Sequence, residues 1–266
     1  MIYLSLTFVI LIGLVGGQRG LKSLFTLVLN VLVLSTMLTL ISWSFHPILI
    51  TLLTSLIISN IILFYQNGKN AKTLASFLAM ILVVALIFII TLFISLNAKL
   101  GGFNHFNQPE LISFGMPGHM NINMHHIAIA MFITGMMGAC LDTSISIASG
   151  VYEVFRHHPE TSKRNLYQSG MRMGSQILST TINTLFFAYI GGGMSLMILF
   201  KMFDYKLLDM INSKAFLQEA LYISIASMAC VLVIPITAWL VAHILTHPKK
   251  WIKHMEDDEL FNTSDT

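Results

Sequence analysis

Apolar residues fall in long unbroken runs along this chain, and polar residues gather in short breaks between them. A helix rises 1.5 Å per residue, so about 20 mostly apolar residues cross the roughly 30 Å hydrocarbon core of a bilayer. The runs over residues 2–15, 21–43, 47–65, 74–96, 127–154, 177–200 and 221–245 meet or approach that length. The breaks GGQRG, His46-Pro47, QNGKNAK, GGFNHFNQPE and HHPETSKR carry residues that end helices. Within residues 156–176, Thr161 or Ser162 offers an N-cap for a short surface helix. The pattern predicts an all-α polytopic membrane helix bundle of about seven transmembrane helices. Helices one to four occupy 1–97, an external loop 98–126, a core of helices five to seven 127–247, and a polar, acidic cytoplasmic tail 248–266.

Composition strengthens this reading. The chain is 55% hydrophobic and only 10% charged, against about 25% charged in soluble domains. A net charge of +3 is too small to imply a nucleic-acid partner, and the partner expected is the lipid bilayer. The apolar N-terminus has no basic n-region and no A-x-A-like site, so it reads as a retained helix and not a signal peptide. Cys140 and Cys230 both lie in apolar runs without a CxxC spacing and are expected to pack in the core. With the N-terminus outside, only Lys99, Lys201, Lys206 and Lys214 of the 15 basic residues fall on the outer side. The rest are cytoplasmic, as the positive-inside rule requires.

Chemistry enters through one carboxylate. In GACLDTSISIASGVYEVF, Asp142 stands about 14 residues, or roughly 20 Å, from the inner end at Arg156. Gly135, Gly138, Asp142, Ser146, Ser149 and Glu153 recur at steps of three or four, so one face of the fifth helix is small and polar. Such a face lets helices approach and hydrogen-bond, and it belongs inside a bundle. The sixth helix carries a second stripe of Gln176, Thr180, Asn183, Thr184, Phe187 and Gly191. Asn183 and Thr184 are expected near the level of Asp142, as hydrogen-bond partners. On the seventh helix, Pro235 frees a carbonyl and is a candidate hinge.

Placing Asp at a helix centre costs about 2.5–3.5 kcal/mol. Holding it protonated at pH 7 costs about 4 kcal/mol. The two costs are close enough for a change of surroundings to move the proton, and no Lys or Arg lies at matching depth to fix the charge. Asp142 is therefore expected to carry a proton, with Ser146, Thr180, Asn183 and Thr184 tuning and relaying it. Ser149, Glu153 and Gln176 form a secondary polar face, and Glu153 is expected to pair with Arg156 or Arg172 at the interface.

The segments GACLDTSISIASGVYEVF, STTINTLFFAYIGGG and PITAWLVA resemble those of the YibE/F family of membrane proteins, over roughly residues 127–245. The family pattern has an Arg-Asp pair just before the threonines, where this chain has Ser175-Gln176. A more distant similarity reaches the membrane halves of SecD and SecF and the RND permeases. It implies an RND/SecDF-like core in the C-terminal half, proton-driven conformational work at Asp142, and a second related half. That half would come from a homodimer or from a heterodimer with a YibE-like chain.

Other constellations carry less. MPGHMNINMHH, from Met116 to His126, offers soft ligands suited to copper(I), but it lacks the ordered spacing of a zinc site and reads as a loop at the interface. No HExxH, GxSxG or second intramembrane Asp is present, so neither an enzyme nor a cofactor is expected. The expectation is a proton-coupled permease-like subunit in the cell membrane, N-terminus outside and C-terminus cytoplasmic. The alternative is a non-transporting assembly or scaffold subunit.

Overall fold

The computed structural model describes residues 2–98 and 124–247. The expected cytoplasmic tail and most of the expected external loop with its Met/His motif lie outside the described residues; of that loop, 98 and 124–126 are helical. Among those described the chain is helical and has no strand: α1 (Ile2–Ser42), α2 (Pro47–Asn60, continued by a π turn Ile61–Tyr65), α3 (Ala71–Ala98), α4 (Met124–His157), α5 (Lys163–Met202), a short α6 (Leu207–Ile211) and α7 (Lys214–Thr246). Six of these helices are long and apolar enough to cross a membrane.

Seven were expected, and the difference lies at GGQRG. These residues are helical apart from Gly17, whose φ of 54° and ψ of −139° break the run. Glycine takes that left-handed geometry without a Cβ clash. The arm before Gly17 folds back so that the Ile12 carbonyl lies against Gly20, where a side chain would not fit. The first two expected helices are thus the arms of one bent element. A second difference concerns residues 156–176. Ser162 does cap a helix, accepting from the Asn165 amide at 3.4 Å. That helix is no short surface piece, because it continues without interruption to Met202.

Other boundaries follow local chemistry. Pro47 stands in the first turn of α2, where its missing N–H costs nothing. Before α3, Asn70 and Thr73 exchange hydrogen bonds, with the Thr73 amide on Asn70 Oδ1 at 3.0 Å and the Asn70 amide on Thr73 Oγ1 at 3.1 Å. This reciprocal cap satisfies amides that the helix itself cannot. Pro235 lies inside α7, which remains one helix through it.

The core is formed where α3, α4 and α7 pack together, with Ala75, Ala79, Val83, Ile133, Ile147, Cys230, Val233 and Val241 fully or almost fully buried. Both cysteines are buried free thiols, in hydrogen-bonding contact between α4 and α7. Helix α5 joins through small residues. Gly170 meets Val151 and Ala238, and Gly174 meets Ile147 and Ile234, at distances that leave no space for a side chain. Three cation–π contacts lie at this end of the bundle: Lys22 over Tyr65 at 5.3 Å, Lys72 over Tyr152 at 5.4 Å and Lys163 over Trp239 at 5.3 Å. Basic heads and aromatic rings side by side are what a membrane–water boundary favours. Lys163 Nζ also lies 3.0 Å from His243 Nδ1.

Gly174→Leu is expected to destabilise the purified protein by about 1–3 kcal/mol through overpacking. A lowered thermal midpoint in detergent is the readout. Gly191→Leu, whose side chain would enter open space, should not lower that midpoint.

Candidate functional site

The contacts of Gly170 and Gly174 fix a common register for three helices. Residue 151 of α4, 170 of α5 and 238 of α7 share one level, and 147, 174 and 234 the next. Counting on toward the far end at 1.5 Å per residue brings Asp142 level with Ser179 on α5, next to Thr180, and with Ala229 on α7, next to Cys230. Tyr152, beside the Lys72 ammonium, marks the basic boundary on α4. Asp142 stands about ten residues, or ~15 Å, beyond it, which is half of a hydrocarbon core roughly 30 Å thick.

Orientation follows from a single contact. Met173 of α5 lies with its sulfur against Gly150 of α4, leaving no room for a Cβ there. From Met173, helical steps of three and four lead to Gln176, Thr180, Thr184 and Phe187 along the same face of α5. From Gly150 the same steps lead to Ser146, Asp142 and Gly135 on α4. Both polar stripes thus run on from this contact, and both are exposed: Asp142, Ser146 and Gly138 on α4, and Gln176, Thr180, Asn183 and Thr184 on α5. The faces that pack are others, with Ile147 and Val151 of α4 and Ile177, Leu178 and Leu185 of α5 in or against the core, so the stripes lie on the outer surface of the bundle.

Toward the far end α7 meets both helices. The Tyr222 ring of α7 fills the space over Gly135 and stands edge-on to Tyr189 of α5, with ring centroids 4.6 Å apart. Asp142 lies on the exposed strip of α4 between the Gly150–Met173 contact and the Gly135–Tyr222 contact. Tyr189, Tyr222 and Met173 were not legible as site residues, since each reads as an ordinary apolar position until the register is known.

The expected bonds to Asp142 are not made. Thr180 Oγ1 donates to the Ile177 carbonyl and Thr184 Oγ1 to the Thr180 carbonyl, each at 2.8 Å and each within α5. Neither Asn183 nor any basic residue pairs with the carboxylate among the described residues. The structure does not bring the two stripes together by hydrogen bonds among the described residues. Glu153, expected to pair with an arginine, has His157 as its neighbour, with Oε1 3.4 Å from Nε2 one turn on. That spacing is the ordinary reach of a helical i,i+4 pair. Ser149 is half-buried between Ser146 and Glu153, on the stripe where it was expected. No group of three or more His, Cys, Asp or Glu capable of holding a metal occurs among the described residues.

A sequence model for YibE/F-like proteins matches residues 4–247. The match takes in α1 to α3 as well as the C-terminal half, which is wider than the resemblance read from motifs. No curated protein and no solved structure matches the chain.

In a background with both native cysteines replaced by serine, single cysteines at 142, 146 and 180 should react with a small thiol reagent in the folded protein. A cysteine at 143, where the native threonine is buried, should react only after unfolding. Equal protection at all four positions would mean that the polar stripes are covered.

Proposed function

The chain belongs to the YibE/F-like family, and on that premise we propose that it is a proton-coupled, permease-like membrane subunit. The observation that carries the reading is Asp142. It is a carboxylate ~15 Å from the basic boundary, exposed on a polar helix face and without an ion-pair partner among the described residues. Intramembrane carboxylates mark functional sites, proton relays among them. Ser146, Thr180, Asn183 and Thr184 are exposed polar side chains able to hydrogen-bond bridging water. They would pass the proton along the stripes toward Glu153, Ser149 and Gln176 at the basic end. Pro235, with its missing amide hydrogen bond, gives α7 a place to bend. This is the work that the RND/SecDF-like resemblance implies for the C-terminal half.

Orientation follows from the basic end. Lys22, Lys72 and Lys163 lie there on aromatic rings, and we assign that end to the cytoplasm of a cell membrane. The arm before Gly17 folds back from it, which directs the N-terminus outward. The C-terminal end of α7 is cytoplasmic on the same assignment.

A second reading has its own support. Helix α5 is apolar enough to span, yet only 6% of its most apolar stretch is buried, and it shows polar side chains outward. A second copy, or a related YibE-like chain, would cover that face with hydrogen bonds as helices do in lipid. In a scaffold subunit this covering would be the whole function of the stripe.

Reconstitution into liposomes separates the two readings. Under an imposed pH gradient, Asp142→Asn should abolish proton flux, while the purified variant keeps the thermal midpoint and oligomeric state of the wild type. Undiminished flux in the variant would remove the proton role. Loss of the oligomer with the flux would favour the scaffold.

A further inference from the structure

Glu219 lies off both polar stripes and has no part in the proton reading. It is on α7, about 20 residues or ~30 Å from Trp239. Trp239 stands at the basic boundary under the Lys163 ammonium, so Glu219 falls at the opposite boundary of the hydrocarbon. Its side chain is exposed and pairs with no basic group among the described residues.

Two cavities meet at this carboxylate. One, of about 430 Å³, lies between α1, α4 and α7, and Glu219 lines it together with Met37, Phe132 and Tyr222. The other, of about 440 Å³, lies between α5 and α7, and Glu219 lines it with Tyr189 and Phe216. Each volume falls within the range that holds drug-sized molecules. Their walls are mostly apolar, and both expose aromatic rings close to the acid. The Phe132 and Tyr222 centroids are 6.3 Å apart, and Tyr222 in turn meets Tyr189.

We propose that Glu219, with the Tyr189 and Tyr222 rings, forms a binding site for the ammonium or phosphonium head of a lipophilic cation whose apolar body occupies one of the two cavities. The physical reasons are two. A carboxylate at the edge of hydrocarbon attracts a cation more strongly than it would in water, because the local dielectric is lower. Aromatic faces within about 6 Å add a cation–π contribution selective for the same sign of charge. A neutral ligand would gain only the apolar contact, and an anion would be repelled. A membrane supplies such cations in two forms: the amine headgroup of a zwitterionic lipid, and a free organic cation dissolved in the bilayer.

The proposal extends the permease reading by naming a class of cargo, but its test does not depend on transport. Binding of tetraphenylphosphonium to the purified full-length protein in detergent, with no pH gradient, is measured by equilibrium dialysis. Glu219→Gln should weaken binding about tenfold, and Glu219→Asp should restore part of it. Asp142→Asn should leave binding unchanged even where it abolishes flux. Competition by phosphatidylethanolamine in mixed micelles, and not by phosphatidylglycerol, would mark the lipid headgroup as the cation held there. Absence of competition would mark the free cation. Equal affinity in wild type and Glu219→Gln, or equal binding of neutral triphenylphosphine oxide with the same response to the substitution, would overturn the site. Intact binding with no proton flux would leave the site standing and remove the permease reading.

Discussion

In hydrocarbon a polar side chain cannot borrow a partner from the solvent, and this constraint orders the whole molecule. Each helix satisfies its own backbone, and many hydroxyls follow suit. Thr51, Ser59, Thr134, Thr180 and Thr184 all turn back onto carbonyls one turn earlier in their own helices. A carboxylate has no such option, because an ionised Asp cannot donate to a carbonyl. Asp142 must take a proton, meet water, or receive a donor from another chain. Its exposed place on α4 leaves these outcomes open to it, with no counter-ion among the described residues to decide among them.

Glycine placement sets how the helices pack. Gly170 and Gly174 draw α5 against α4 and α7, and Gly150 admits the Met173 sulfur. Ile177, Leu178 and Leu185 continue that packing face along α5, and the aromatic pair Tyr189–Tyr222 joins α5 to α7 near the far end. Gly191, Gly192 and Gly193, by contrast, have nothing within contact of where a Cβ would stand. The polar stripe of α5 lies off its packed face and is exposed.

The membrane class, most helix boundaries and the polar stripes were legible because they depend on local pattern. A run of apolar residues long enough to cross is a property of the run itself. The cap at Ser162, the break at His46-Pro47 and the turn before Asn70 come from residues acting on their immediate neighbours. The GGQRG segment was misread for a related reason. Glycine permits both a loop and a bent helix, and only the packing of Ile12 against Gly20 selects the bend. The length of α5 was underread because its first turns are polar, and their helicity depends on contacts of Leu166, Gly170 and Gly174 with other helices.

By itself the sequence determined that this chain lives in a bilayer, that α4 carries an acid near the midplane, and that α5 carries a polar stripe. Each of these follows from helical rise and periodicity, which need no second helix. Only the tertiary structure decided that both stripes lie exposed beside the packed faces, that Asp142 has no bonded partner among the described residues, and that Glu219 stands between two cavities. Those facts concern the distance between helices. Inter-helix distance is set by which small residues happen to meet across an interface, and that meeting is encoded in no single segment of the chain.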